Sequence, residues 1–383
     1  MITIKNKFLT NKYWGAFIPV LVCLFLSPPF DYKGNFTVIQ SSSDFHYYDV
    51  IVEQMKEIKH LPYGEETHES KMEVRILMPL ILKLLFPSNT KYLPILIYFI
   101  NLIALYVFSL QICIFQKRKL PELRPIFLTS LLFTTIYTGI TFAMDFWPMF
   151  DGIAFLLIIT ALNQDNKYIP PLLILLSLFI DERSLFPGVM ILIYQNNKLI
   201  YKSIIQFCAI IVSYLGIRIL LHDLCGLNDV FHKSHDLILF GYIDKNNFNY
   251  FLTAIINCFK NLWLLPIYAI FILCRSKTLP LTTNQILGII GIGCCFLFSF
   301  FAAAAVADFT RSFSYGFPFF VISLKHIYNE SHYIKNKPVV PLSYFMMIII
   351  FCNIMTETHF FHSGVSLYNT VNLLSRIGAN LLE

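Results

Sequence analysis

The segment that decides the fold is YLPILIYFINLIALYVFSLQICIF, residues 92–115, which runs for 24 residues without a charged side chain. A helix of about 20 apolar residues spans the hydrocarbon core of a bilayer, so this segment predicts a transmembrane helix. Directly after it comes Gln116-Lys117-Arg118-Lys119. Because cytoplasmic loops carry an excess of Lys and Arg, this basic cluster favours a cytoplasmic end for the helix.

The composition extends the same interpretation to the whole chain. Of 383 residues, 56% are hydrophobic and only 14% are charged, whereas soluble domains carry about 25% charged residues. Too little charge remains to solvate two or three soluble domains, so we predict one integral membrane domain over residues 1–383. Outer-membrane barrels are excluded too, because their strands are segments of about 10 residues with alternating apolar and polar side chains. The apolar blocks of this chain are too long and too apolar for that pattern.

Neither the net charge nor the cysteines indicate another class of protein. The net charge is +6, but no basic tract is longer than Lys117-Arg118-Lys119, so no nucleic-acid partner is predicted. Of nine cysteines, seven lie inside apolar blocks. A disulfide framework or a cysteine-based metal site is therefore not predicted.

The apolar blocks predict an all-α membrane protein, a polytopic helix bundle of about 11 spans with a range of about 10–13. The positive-inside rule places the N-terminus in the cytoplasm and the C-terminus outside it, in what we expect to be a bacterial inner membrane. The two largest polar loops, 31–91 and 222–249, are then extracytoplasmic. The predicted spans lie near 14–30, 92–115, 126–143, 150–162, 168–180, 185–194, 199–221, 250–273, 282–304, 312–324 and 338–353.

The first outer loop contains two segments with helical amphipathicity. From Asp44 to His60 apolar residues recur at helical spacing opposite charged ones, which predicts a helix lying on the membrane surface. In the segment 72–86, Arg75, Pro79 and Lys83 recur at every fourth position and should share a helical face. We interpret this second segment as lying at the interface or as dipping into the membrane and returning, because a full span there would move the basic loop after residue 115 outside.

Acidic residues concentrate at the predicted outer ends of the spans. Carboxylates at membrane depth are costly unless they are paired or face water, so their convergence on one side is what an active site at the outer leaflet would require. The four clusters are Asp44 with Asp49, Asp145 with Asp151, Asp181 with Glu182 and Arg183, and Asp308 with Arg311.

Three of these clusters have an equally simple structural interpretation. Asp44 follows three serines and precedes an amphipathic segment, as an N-cap residue does. Asp145 and Asp151 flank a short turn, and we interpret them as hydrating it. Asp308 and Arg311 stand at i and i+3, the spacing of a local ion pair.

The remaining cluster, Asp181-Glu182-Arg183, points most strongly to function, because a turn between two spans does not need three consecutive charges. An internal ion pair is the structural alternative. Asp49, Asp181 and Asp308 would offer oxygen ligands to a divalent cation, but the sequence has no dedicated metal-binding loop. The histidines lack metal-binding spacing. No metal site is predicted, and any cofactor is left open.

The order and shared sidedness of four short motifs resemble bacterial multi-spanning glycosyltransferases of the GT-C fold. These motifs are Asp44-Phe45-His46-Tyr47-Tyr48, Arg75-Ile76-Leu77-Met78-Pro79, Asp181-Glu182-Arg183-Ser184-Leu185 and Asp308-Phe309-Thr310-Arg311. The resemblance also covers the architecture, which is a first span, a long outer loop with surface helices, and then a bundle.

The resemblance implies an inverting transferase that moves a hexose or pentose from a polyprenyl-phosphate donor to a glycan or lipid acceptor outside the cytoplasm. Asp44 matches the position of the general base. Many members carry two adjacent acids there, whereas Phe45 follows Asp44 here, so Asp49 is a second candidate. The residues expected around the donor and its phosphate are His46, Tyr48, Arg75, Asp181, Glu182, Arg183, Asp308 and Arg311. Lys83 could add to the phosphate site from the face of Arg75. Tyr315 is among the aromatic residues suited to stacking on a sugar.

Two other functions fit the same composition. A polymerase that joins lipid-linked repeat units of an O-antigen or capsule uses a similar donor on the same side. A transporter or lipid flippase belongs to another class and should place ionisable groups near the bilayer midplane. Lys260 is the residue well inside a predicted span that favours this alternative.

Overall fold

The computed structural model describes residues 11–26, 46–61, 72–86, 93–121, 123, 125–144, 149–196, 200–227, 248–275, 283–304, 309–331, 342–356, 358–362 and 365–370. These parts are helical apart from one short antiparallel hairpin. The helices of the first half are α1 Lys12–Leu26, α2 His46–Lys56, α3 Leu77–Leu85, α4 Leu93–Lys119, α5 Phe127–Thr134, α6 Tyr137–Met144, α7 Asp151–Asn163, α8 Ile169–Leu178 and α9 Leu185–Gln195.

The second half continues with helices and ends on the hairpin. Two short 3₁₀ segments, Glu182–Ser184 and Lys260–Trp263, interrupt the α-helices. The remaining elements are α10 Ile200–Cys225, α11 Phe248–Phe259, α12 Leu264–Arg275, α13 Thr283–Ala304, α14 Phe309–Ser314, α15 Phe317–Ser331, α16 Leu342–Met355, β1 Thr358–His362 and β2 Val365–Thr370. The hairpin was not predicted; β1 packs against α11 and α14.

Every apolar segment predicted as a span contains a helix. Within the described residues, three helical segments are long and apolar enough to cross a membrane, namely Leu93–Lys119, Ile200–Cys225 and Phe251–Phe271. Helix α10 presents an apolar surface: only 11% of its most apolar window is buried, and Ile205, Val212 and Leu224 are exposed along it. Such a surface is suited to hydrocarbon and not to water. The prediction of a helical protein is confirmed, and these three segments support its placement in a membrane; the number of about 11 spans stays a prediction.

Aromatic rings fill the space between the central helices. Helix α4 packs against α1, α5 and α7. Its buried Phe108 contacts Phe142 of α6 with ring centroids 5.3 Å apart and Phe317 of α15 at 5.8 Å. Phe155 of α7 reaches the same Phe317 at 5.5 Å. Since rings prefer such tilted and edge-to-face contacts, this part of the aromatic surplus forms the core of the bundle.

Three of the predicted spans are interrupted by breaks rather than continuous. The breaks fall between α5 and α6, between α11 and α12, and between α14 and α15. Irregular backbone at membrane depth is tolerated where its polar groups find partners inside the protein. At the first break Thr134 donates to the carbonyl of Ser130 at 3.0 Å, and Thr135 donates to that of Leu131 at 2.8 Å.

The second break is organised by Lys260, which has a left-handed backbone φ of 47°. Its buried ammonium donates to the carbonyls of Asn353 at 3.0 Å and Thr356 at 2.8 Å. The last carbonyls of a helix lack intrahelical partners and carry partial negative charge, so a cation stabilises them. Lys260 therefore caps the C-terminal end of α16. This gives a structural reason for a lysine inside a predicted span, the feature that favoured a transporter.

The two helices predicted in the first outer loop are present, but their geometry differs from the prediction. Helix α2 buries Val50, Ile51 and Met55 and is amphipathic as expected. Helix α3 begins only at Leu77, so Arg75 lies before it and does not share a helical face with Lys83. Lys83 instead donates to the carbonyl of Lys56 at the end of α2, at 3.0 Å. The predicted shared helical face of Arg75 and Lys83 is thus wrong.

Lys260→Met should destabilise the protein by about 1.5–3 kcal/mol, the range for hydrogen bonds to charged groups, because it leaves the end of α16 uncapped. Thermal unfolding of the purified protein in detergent measures this. Lys202→Met, which changes an exposed lysine of α10, is the control. Equal unfolding temperatures for the two variants would contradict the capping role.

Candidate functional site

Five charged residues from separate parts of the chain meet at one end of the bundle. Asp151 is the first residue of α7, and Asp181 follows α8. Arg183 lies in the 3₁₀ turn that leads into α9, while Arg311 lies in α14 and Arg75 just before α3. We call these residues, with Glu182, the arginine–carboxylate network.

Asp181 is the centre of this network and is fully buried. It caps the 3₁₀ turn by accepting a hydrogen bond from the main-chain N–H of Arg183 at 2.9 Å, and it accepts a second from Arg183 Nε at 2.8 Å. Arg311 Nη2 donates to it at 3.3 Å, and Arg75 Nη1 lies 3.6 Å away. One carboxylate therefore joins three arginines.

Asp151 joins two of the same arginines from the other side. Arg311 donates to both of its carboxylate oxygens, with Nη2 at 3.1 Å from Oδ1, and Arg183 Nη2 lies 3.5 Å from the same oxygen. Tyr315 donates its hydroxyl to Oδ1 at 3.0 Å. The Tyr315 ring also lies under the Arg183 guanidinium at 5.2 Å, and Arg183 Nη1 donates to Ser312 at 2.9 Å.

The network is balanced in charge, with three arginines against Asp151, Asp181 and Glu182. Taking charges out of water is costly unless each is paired and hydrogen-bonded. The buried carboxylates of Asp151 and Asp181 are both paired with arginines and hydrogen-bonded. Asp181 lies in the connection between two helices. Burial there opposes its ionisation, but Arg183, Arg75 and Arg311 outweigh burial and hold the pKa of Asp181 well below its ordinary value.

Arg75 forms the open edge of the network. Its side chain is 14% exposed, and its Nη2 donates to Glu182, itself 38% exposed, at 3.1 Å. Within the described residues its Nε and Nη1 make no hydrogen bond. Beside it is a small apolar cleft of about 10 Å³, roughly the room of one water molecule. The other residues lining this cleft are Val50, Ile51, Met72, Met78, Pro79, Met149, Phe150 and Ile180.

The structure brings together most of the predicted site residues that it describes. Arg75, Asp181, Glu182, Arg183 and Arg311 share the network, as expected for a single site. The remaining predicted residues belong to α2 or lie outside the described residues. His46 begins α2, Tyr48 packs half-buried against the core, Asp49 is exposed in the first turn of α2, and Asp44 and Asp308 lie outside the described residues.

Three members of the site were not predicted in their observed roles. Asp151 was interpreted as hydrating a turn, but it is only 2% exposed and binds Arg311 from 160 positions away in sequence. Ser312, which accepts a hydrogen bond from Arg183, belongs to none of the predicted clusters. Tyr315 was expected to stack on a sugar, yet it is 1% exposed and holds Asp151 and Arg183. No local pattern signals these contacts, because each partner belongs to a distant helix.

The carboxylates of the network are occupied by arginines rather than left open as ligands. Among the described residues, no group of three or more His, Cys, Asp or Glu side chains is arranged to hold a metal ion. Arg75, whose side chain is 14% exposed, carries a guanidinium, a group suited to binding an anion.

The chain was compared with known proteins. No protein-family model, curated protein or solved structure matches it.

Asp181→Asn should lower the free energy of unfolding by about 3–5 kcal/mol, because breaking a buried pair leaves uncompensated buried charge. Unfolding in mixed micelles measures this. The matched control is Asp165→Asn, whose carboxylate is 68% exposed and paired with Arg118; exposed pairs contribute about 0–1 kcal/mol. Similar losses in both variants would show that the network does not stabilise the fold.

The contribution of Asp181 should also depend on pH. Its pKa is lowered in the folded state, so its stabilisation is fully present above the ordinary carboxyl pKa of about 4 and is lost as pH falls below it. The stability difference between the wild type and Asp181→Asn should stay constant from about pH 8 to about pH 5 and shrink below about pH 4. A difference that grows in acid would contradict the assigned direction.

Proposed function

We propose that this chain is an inverting glycosyltransferase that moves a sugar from a polyprenyl-phosphate donor to a cell-surface glycan or lipid acceptor. The observation that carries this proposal is the position of Arg75 between a charged network and an apolar cleft. A prenyl phosphate has the same two parts, an anionic head and an apolar chain. The contacts of Arg75 therefore fit this class of ligand better than a purely polar one.

The three arginines divide into two roles in this proposal. Arg183 and Arg311 are engaged by Asp151 and Asp181, so they position the site rather than contact the donor. Arg75 Nε and Nη1 are buried and make no hydrogen bond within the described residues, while Nη2 is held by the partly exposed Glu182. The leaving phosphate binds Arg75 through its planar fork and takes the place of Glu182.

The chemistry requires one carboxylate and no general acid. A base accepts the proton of the acceptor hydroxyl as that oxygen attacks the anomeric carbon, and the phosphate leaves with the bonding electrons of the C–O bond. Asp44 is the proposed base and Asp49 the second candidate. Helix α2, which carries Asp49, reaches the cleft through Val50 and Ile51. Because the cleft holds only about 10 Å³, donor binding requires α2 to move away from Arg75.

The proposed orientation follows from charge. The arginine–carboxylate network lies at one end of the bundle, and the basic residues Lys117, Arg118 and Lys119 end α4. The positive-inside rule places these basic residues in the cytoplasm, and with them the N-terminus of the chain. The network then faces the extracytoplasmic side of the inner membrane, in a bundle of about 11 spans with GT-C-like architecture.

Arg75→Lys should reduce sugar transfer by about 100-fold or more, a loss typical of removing one transition-state donor, because the ammonium keeps the charge but lacks the fork. Transfer from a radiolabelled polyprenyl-phosphate sugar in isolated membranes measures this. The control is Arg118→Lys, which should retain activity, because Arg118 lies in the last turn of α4, away from the arginine–carboxylate network. Full activity of Arg75→Lys would overturn the role of Arg75.

The base is tested by two parallel variants. Asp44→Asn should reduce transfer by about 10²–10⁴-fold, the usual contribution of a general base, with expression and membrane insertion unchanged. Asp49→Asn should retain activity. The opposite pattern would move the base to Asp49, and activity in both variants would contradict the mechanism.

A further inference from the structure

A larger, polar cavity lies where α4, α7 and α9 end, away from the arginine–carboxylate network at the start of α7. Its volume is about 340 Å³. It extends from the connection between α7 and α8 to α10 and α15. The side chains that line it are Lys119, Leu162, Gln164, Asp165, Asn166, Lys167, Tyr194, Gln195, Asn196, Gln206 and Lys325.

Amide side chains hold the rim of this cavity together. Gln195 Nε2 donates to the carbonyl of Ala161 at 2.8 Å, which joins α9 to α7. Asn196 Nδ2 donates to Gln206 Oε1 at 2.8 Å, and Gln206 Nε2 donates to the carbonyl of Lys167 at 3.0 Å. These bonds link four chain segments, so the cavity is a formed feature of the fold and not a gap between loose ends.

The lining carries an excess of positive charge. Three lysines line the cavity against the single carboxylate of Asp165, and that carboxylate is paired with Arg118. Lys119 and Lys325 repel each other. Bringing like charges together in a partly buried cavity is unfavourable unless an anion compensates them.

Tyr194 supplies a neutral donor in the same place. The Lys325 ammonium lies 4.9 Å from the centre of its ring. The Tyr194 hydroxyl is buried and has no hydrogen-bond partner in the described part of the chain. A buried hydroxyl without a partner costs free energy, and an anionic oxygen in the cavity would satisfy it.

We propose that this cavity binds a phosphate-bearing anion, which Lys119, Lys325 and the Tyr194 hydroxyl hold. Basic pockets between membrane helices bind the headgroups of anionic lipids, and a free phosphate compound offers the same oxygens. The site is separate from the proposed transferase site and does not depend on it.

Binding is tested on the full-length protein with two probes. One is phosphatidylglycerol, added to protein in phosphatidylcholine nanodiscs, and the other is inorganic pyrophosphate. Thermal unfolding and native mass spectrometry report the apparent affinity. Lys119→Gln and Lys325→Gln should each weaken binding about fivefold, as expected for about 1 kcal/mol per lysine. Tyr194→Phe removes only the hydroxyl and should also weaken binding while leaving the packing intact.

The control is Lys117→Gln, since Lys117 is exposed on the same end of α4 but does not line the cavity. Stabilisation by phosphatidylglycerol alone identifies the ligand as a lipid headgroup, and stabilisation by pyrophosphate as well identifies a site for free phosphates. Either result supports the proposal if the cavity variants bind less tightly than Lys117→Gln. Absence of binding, or equal binding by all four variants, would overturn it.

Discussion

The structure depends on one electrostatic constraint, which is that charges at the end of an apolar bundle must be paired with each other. Asp181 and Asp151 are buried among helices that have almost no other charge, and Arg183 and Arg311 satisfy both carboxylates. Removing any partner would leave a charge without compensation. Because the partners belong to α7, the turn before α9, and α14, this pairing sets how those helices meet.

The same requirement explains the interrupted helices. A break exposes main-chain groups that need partners inside the protein, and at the second break Asn353 of α16 accepts a hydrogen bond from the main-chain N–H of Asn261 at 3.1 Å. Lys260, at the same break, caps the end of α16, and Asn353 of α16 donates to the hydroxyl of Thr135 at the first break at 3.4 Å. Breaks that are far apart in sequence are thus joined in one hydrogen-bonded group.

The ends of the bundle differ in how their charge is balanced. In the arginine–carboxylate network the three arginines balance the three carboxylates. In the cavity at the end of α4 the lysines outnumber the carboxylate. The two ends of the bundle therefore differ in net charge, as the positive-inside rule would predict for opposite membrane surfaces.

The sequence by itself determined the class of protein, the positions of the helices and most of the charged site residues. Hydrophobicity over 10–25 residues is a local property, and a charged residue in so apolar a chain is conspicuous, so Arg75, Asp181, Arg183 and Arg311 were identifiable by type alone. Only the tertiary structure decided their partners. Asp151 is indistinguishable from a turn residue until α14 brings Arg311 to it, and Lys260 has no visible role until the end of α16 reaches it. Ion pairs and caps join distant segments, and no local periodicity records which segments will meet.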